Sequence, residues 1–127
     1  MALIIGGKEV PCKTKVIDWR EHKMEIKPGK GARKRDTKKT TIDVFVLYWT
    51  GGEGSAKGCF NVLTTRELGI EFYIGRDGII YQYADPILVD TFDAGSMNPR
   101  SIGVEIANYG FRDNPKDVTA AGKDRKI

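Results

Sequence analysis

From Ile42 to Trp49 the chain is almost continuously apolar, rich in β-branched and aromatic residues, and it is closed off by Gly51-Gly52 and Gly54. Such a run predicts a strand buried on both faces. Ser55 then stands where a helix cap would, and Ala56, Cys59, Phe60 and Leu63 follow at helical spacing, so a helix is expected from Ser55 to about Leu68-Gly69. Gly58 weakens it by roughly 1 kcal/mol relative to alanine. Phe72-Tyr73-Ile74 and Ile79-Ile80-Tyr81-Gln82-Tyr83 flank Arg76-Asp77-Gly78. An Asp-Gly pair between two apolar runs predicts a hairpin, because glycine tolerates the positive φ of such turns. Pro86 limits the next stretch. Ser101 to Ala107 reads as a strand with Ile102, Val104 and Ile106 on one face and Glu105 on the other. The order strand, helix, hairpin, loop, strand predicts an α/β fold: a mixed central β-sheet with a flanking helix.

The N-terminal third lacks this order. Leu3-Ile4-Ile5 before Gly6-Gly7 reads as a short strand or hairpin arm. Residues 11–40 carry Pro28-Gly29 and Gly31 without sustained periodicity, which predicts an extended arm with at most a short strand near Val16-Ile17 and Trp19 pinning it to the body. The expected organisation is a basic N-terminal arm over 1–40 and a compact body over 41–127.

Composition sharpens this picture. At 127 residues with 40% hydrophobic content, the chain makes one domain with a core of its own. The net charge of +4 is unevenly spread: residues 1–40 hold 12 Lys/Arg against 5 Asp/Glu, and the remainder holds 9 against 12. Lys30, Arg33, Lys34, Arg35, Lys38 and Lys39 read either as a polyanion contact (nucleic acid, teichoic acid or an anionic membrane) or as a solvated loop. No aromatic residue interleaves with them to stack a base. Cys12 and Cys59 have no CxxC spacing and read as reduced thiols. No apolar run is long enough to span a membrane, and the four-residue run before Gly6-Gly7 is too short for a signal peptide.

Several motifs occur together in order and spacing. They are Trp49-Thr50-Gly51-Gly52, Arg76-Asp77-Gly78 followed by Ile80-Tyr81-Gln82, Ala94-Gly95 with Asn98, and Arg100-Ser101-Ile102-Gly103-Val104-Glu105. Over about Ile42 to Asn108 the chain thereby resembles the zinc-dependent N-acetylmuramoyl-L-alanine amidases, which share their fold with peptidoglycan recognition proteins. Its N-terminal segment looks like that of phage and prophage members. The resemblance implies a peptidoglycan or muropeptide partner. Without a signal peptide, it also implies a protein that stays in the cytoplasm until lysis or is carried on a virion.

The family reaction is hydrolysis of the amide between muramic acid and L-alanine. Zinc with three protein ligands polarises the carbonyl and activates a water. Where the family carries histidines, this chain has Tyr48, Glu71 and Asp93. Mapped residue by residue, Tyr48 and Asp93 stand at the first two metal positions. The third ligand belongs to a later loop, after a C-terminal helix for which the chain as given leaves no room, so truncation is an expectation too. Asp124 has surroundings that do not match that loop. The family's tyrosine position holds Ile70, with Glu71 next to it, and Glu105 matches a carboxylate of the family's Ile-Gly-Ile-Glu strand.

Three readings stay open. In the first, catalysis is lost and shape retained: Trp49, Thr50, Asn98 and Arg100 line a groove for glycan and peptide with Phe92 nearby, and no cofactor is expected. The bland alternative makes Trp49 and Phe92 core residues and Asn98-Pro99 a turn. In the second, the amidase works with zinc held by an altered site, or with ligands from outside the chain, and Glu105 and Glu71 serve catalysis. An oxygen set of Asp93, Glu71, Glu105 and Tyr48 would suit a harder ion than zinc. In the third, Glu71 and Asp93 flank a sugar as acid and base of a glycoside hydrolase, unless they are solvated or paired with Arg76 or Arg100. His22 is the single histidine, and it reaches the site only if the arm folds back across the sheet.

Overall fold

The computed structural model describes residues 1–39, 41–51 and 54–108. Strand β1 (Ala2–Ile5) and β2 (Lys8–Pro11) form a hairpin turned by Gly6-Gly7. Next come β3 (Val16–Asp18), the single-turn helix α1 (Trp19–His22), β4 (Ala32–Lys34) and β5 (Val44–Trp49). Helix α2 (Ala56–Thr65) precedes β6 (Phe72–Ile74), β7 (Ile80–Gln82) and β8 (Val89–Thr91). A 3-10 helix, Gly95–Arg100, then leads into β9 (Ser101–Ile106).

The central sheet runs β3-β7-β6-β9-β5. It is mixed: β5, β9 and β6 are parallel, β6 and β7 form the antiparallel hairpin, and β3 pairs parallel with β7. The Asp-Gly turn works locally. Asp77 Oδ1 accepts from the Ile79 amide at 3.0 Å, and Gly78 sits at φ +82. Helix α2 starts at the expected cap, where Ser55 Oγ accepts from the Gly58 amide at 3.0 Å. It ends at Thr65, earlier than the pattern suggests, in a Schellman-type stop: Leu68 N donates to Leu63 O and Glu67 N to Thr64 O, with Glu67 at φ +56.

Two expectations are corrected. Strand β5 is not buried on both faces. It is the sheet's edge, and Phe45, Leu47 and Trp49 are 62%, 59% and 64% exposed. Its apolar composition therefore reflects a strand with only one face packed among the described residues. Nor do residues 1–39 form an arm apart from the body. Ile26 and Ala32 belong to the core with Ala56, Ile70, Tyr73, Tyr83, Ala84 and Ala107, β3 extends the central sheet, and β4 pairs with β8.

A close backbone contact holds this segment in place. A Cβ on Gly31, at φ +74, would stand 2.4 Å from Leu68 O, and one on Gly69 would stand 2.5 Å from Gly31 O. Only glycines let the two chains approach so closely. The β1–β2 hairpin docks through two buried side chains. Gln82 exchanges hydrogen bonds with Ile4 (Ile4 N to Oε1 2.8 Å, Nε2 to Ile4 O 2.6 Å), and Asp85 accepts from Gly6 N and Gly7 N at 2.9 and 2.7 Å.

Candidate functional site

In-register pairing places Tyr48, Glu105, Tyr73 and Tyr81 in one row across β5, β9, β6 and β7, on the face covered by α2. At the carboxyl ends of β5 and β9 this face opens into a groove of about 460 Å³. Its walls are Thr50, Gly54, Gly58, Cys59, Val62, Leu63, Arg66 and Glu105. The carboxyl ends of parallel strands are where open α/β sheets bind ligands. The groove is an apolar helix wall facing a half-buried carboxylate, with the Arg66 guanidinium at its rim. Burial, and then the Asp93 charge, push the Glu105 carboxyl above its ordinary range. Burial pushes the Cys59 thiol up to about 12, so it lines the groove as an unreactive group.

Beneath the groove lies a compact polar cluster. Tyr48 donates its hydroxyl to the Asp93 carbonyl at 2.9 Å. Asp93 accepts from Thr91 Oγ1 at 3.4 Å, and its Oδ2 is buried without a hydrogen-bond partner, pressed against Gly103. A Cβ at Gly103 would lie 2.3 Å from that oxygen, so the carboxylate occupies the space a side chain would need. Burial pushes Asp93 up to about 6 and the Tyr48 phenol up to about 12. Asn98 Oδ1 accepts from Asp93 N and Ala94 N at 3.2 and 2.7 Å, shaping the turn before the 3-10 helix.

Glu71 is 1% exposed and does not face the groove. Its Oε2 accepts from Gly103 N at 2.8 Å, and its Oε1 stands 3.5 Å from Arg35 Nη2. Burial, followed by the Asp93 charge, pushes its carboxyl up to about 7. The guanidinium does not reverse that direction, because Arg35 is directed to carbonyls: Pro99 at 2.8 Å, Val89 and Ser101 at 3.2 Å, and Asn98 at 3.4 Å.

Of the residues expected at the site, Tyr48 pairs with Glu105 in the sheet and bonds to Asp93, and Asp93 and Glu71 both meet Gly103, but among the described residues the three carboxylates do not gather into one site. Thr50 lines the groove, with its hydroxyl donating to Asn108 O at 3.1 Å. Trp49 points to the opposite face of the sheet. Arg100 forms a two-pronged pair with Asp43 at the amino end of β9, five residues and roughly 16 Å along the strand from Glu105. Asn98 serves the turn. Glu71 is buried against Gly103 and Arg35 and is not among the groove's walls. Arg35, read as part of a surface contact, is 4% exposed and faces inward. His22 does fold back, in a structural role: Nδ1 accepts from Met24 N and Nε2 donates to Gln82 O, both at 2.9 Å. Burial holds its pKa below the usual value. Val62 and Arg66 escaped notice in the sequence because a helix wall and a core stripe share one spacing.

A zinc site needs three protein ligands and an open position. Among the described residues no three His, Cys, Asp or Glu side chains gather where they could hold an ion. Tyr48 and Asp93, the two residues expected at a metal, are otherwise engaged: Tyr48 donates to the main-chain carbonyl of Asp93, and Asp93 turns its free oxygen onto Gly103. This donor set does not fit zinc. Asp124 lies outside the described residues.

The profile describing N-acetylmuramoyl-L-alanine amidases matches residues 38–123, more than half of the chain. The chain belongs to this family, as a peptidoglycan-directed domain. Among solved structures, a mutant of Drosophila PGRP-LB in complex with tracheal cytotoxin is similar, with a TM-score of 0.51 and 18% identity over 86% of this chain and 70% of that one. At that identity the likeness concerns the fold. Among curated proteins, no sequence matches the chain.

Proposed function

We propose that this domain binds muropeptide in the groove between α2 and the carboxyl ends of β5 and β9, and does not hydrolyse it by the family's zinc mechanism. The observation that carries this reading is the Tyr48–Asp93 hydrogen bond, which ties the two family metal positions to each other. The groove itself suits an amphipathic glycan–peptide: Val62, Leu63 and Cys59 offer an apolar wall, and Glu105, Arg66 and Thr50 offer polar groups that fix orientation. The tracheal cytotoxin complex of the similar PGRP-LB structure supports the class of ligand by analogy of fold.

Calorimetric titration with soluble muropeptide, with and without added zinc, tests the proposal alongside an assay for free L-alanine amino termini released from peptidoglycan. Binding that is independent of zinc and lost in Leu63→Asp is the expected result, with no release of amino termini. Stoichiometric zinc uptake with amidase turnover would overturn the non-catalytic reading. Absence of muropeptide binding would overturn the groove assignment.

A further inference from the structure

Away from the groove, the strongest concentration of unassigned chemistry is cationic. Lys30, Arg33, Lys34, Lys38 and Lys39 fall within ten residues, and all five are exposed. The segment carrying them is part of the body. Strand β4 pairs with β8 from Ala32↔Thr91 to Lys34↔Val89, and Gly31 O accepts from Phe92 N at 2.8 Å. Arg35, the next residue along, is sunk into the protein and anchored on backbone carbonyls of Val89, Asn98, Pro99 and Ser101. Asp36 then closes a turn, its Oδ1 accepting from Lys38 N at 3.1 Å and its carbonyl from Lys39 N at 3.3 Å. That turn leaves Lys38 and Lys39 on the outside.

Arg33 is partly neutralised by Asp90 at 2.7 Å. Among the described residues, no ion pair engages Lys30, Lys34, Lys38 or Lys39. Four uncompensated charges on a fixed scaffold repel one another and raise the local potential, an arrangement that favours an anionic partner. Residues 30–39 hold six Lys/Arg against Asp36 alone, whereas residues 41–127 have more acidic than basic side chains, so most of the excess is concentrated here.

We infer that this ridge binds a phosphodiester polymer of the cell wall, a chain of alditol phosphates without bases. The partner follows from what the ridge lacks as well as from its charge. Residues 30–39 expose no aromatic side chain on which a base could stack; the Phe92 ring beside them has the Arg33 guanidinium 5.9 Å from its centroid. They expose no aliphatic side chain and form no amphipathic helix, so nothing there inserts into a lipid surface. The choice of a wall polymer rests on the family's direction toward peptidoglycan; it does not depend on what occupies the groove.

Co-sedimentation of the full chain with walls bearing poly(alditol phosphate), and with the same walls stripped by hydrofluoric acid, tests the inference. At a slope of about 0.7 per phosphate contact, four contacts give a roughly 50-fold loss of affinity between 50 and 200 mM salt. Lys34→Gln, Lys38→Gln and Lys39→Gln together leave one contact and a loss of about 3-fold. The inference expects this salt-dependent retention on untreated walls only. Stripped walls still offer peptidoglycan to the groove, so the discriminating quantity is the salt slope: an equal slope on stripped walls would overturn the inference, as would an unchanged slope in the triple variant. Tighter binding to single-stranded DNA than to poly(glycerol phosphate) at equal phosphate concentration would overturn it in favour of nucleic acid. The triple variant should bind soluble muropeptide as the wild type does. Failure of muropeptide binding with polymer binding intact would refute the groove proposal alone and leave the ridge supported.

Discussion

Replacing Arg35 with methionine probes the buried cluster beneath the groove. The guanidinium stands 3.5 Å from Glu71 and donates to backbone carbonyls of β8, the 3-10 helix and β9. Methionine fills much of the volume but strands the Glu71 carboxylate and withdraws those donors. Breaking a buried ion pair from one side costs about 3–5 kcal/mol, a large share of the roughly 5–15 kcal/mol that holds a domain together. At this chain length the melting temperature should fall by roughly 10–25 °C. Lys34→Met, one residue away on the surface, should change stability by about 0.5 kcal/mol or less.

The deficit should also depend on pH. Glu71 has its carboxyl pushed from 4.5 up to about 7 by burial. The folded state therefore binds more protons than the unfolded state across that window, and stability falls as pH rises through it. Without Arg35 the proton is held to higher pH, so the variant's loss should be larger at pH 8 than at pH 5, where Glu71 is already largely neutral. Thermal melts by circular dichroism at both pH values provide the measurement. An Arg35→Met protein melting within about 3 °C of Lys34→Met at pH 8 would refute the reasoning, because it would mean that the guanidinium is solvated.

Three further outcomes are expected. Glu67→Gly relieves a positive φ at the end of α2 and should stabilise by about 0.5–1 kcal/mol, read as a higher denaturant midpoint at unchanged m. Gly103→Ala forces Asp93 off its resting place and should cost about 1–3 kcal/mol. Adding Asp93→Ala should recover part of that loss, and a double-mutant cycle with no coupling would sink the packing argument. Trp49→Ala should leave muropeptide affinity within about 2-fold, whereas Leu63→Asp should lower it at least about 10-fold; equal effects would place the ligand on the wrong face.

Some of this was legible from neighbouring residues alone. Ser55 with the Ala56–Leu63 spacing marked α2, and Asp77-Gly78 marked the hairpin, because caps and turns are closed by hydrogen bonds between residues two or three apart. The alternation of Ser101–Ala107 put Glu105 opposite Ile102 and Val104. The motif order pointed to the family. The N-terminal segment was not legible in the same way. Its inward residues, Ile26, Ala32 and Arg35, follow no period, since the chain between them is irregular and held by Gly31 against Leu68 and Gly69. Arg35 had no distinguishing mark among five neighbouring cations. Only the burial of its side chain separates it from Lys34.

What the sequence determined by itself was the set of local elements, the side of β9 on which Glu105 lies, and the order of motifs that marks the family. The tertiary structure decided that β5 is an edge, that Trp49 and Glu71 lie away from the groove, and that the Tyr48 hydroxyl is taken up by the main-chain carbonyl of Asp93. Each of these decisions depends on partners far apart in the chain, such as Arg35 with Ser101 or Glu71 with Gly103. A run of residues can state its own periodicity, but the strand or carbonyl that comes to lie beside it is fixed only when the whole sheet is assembled.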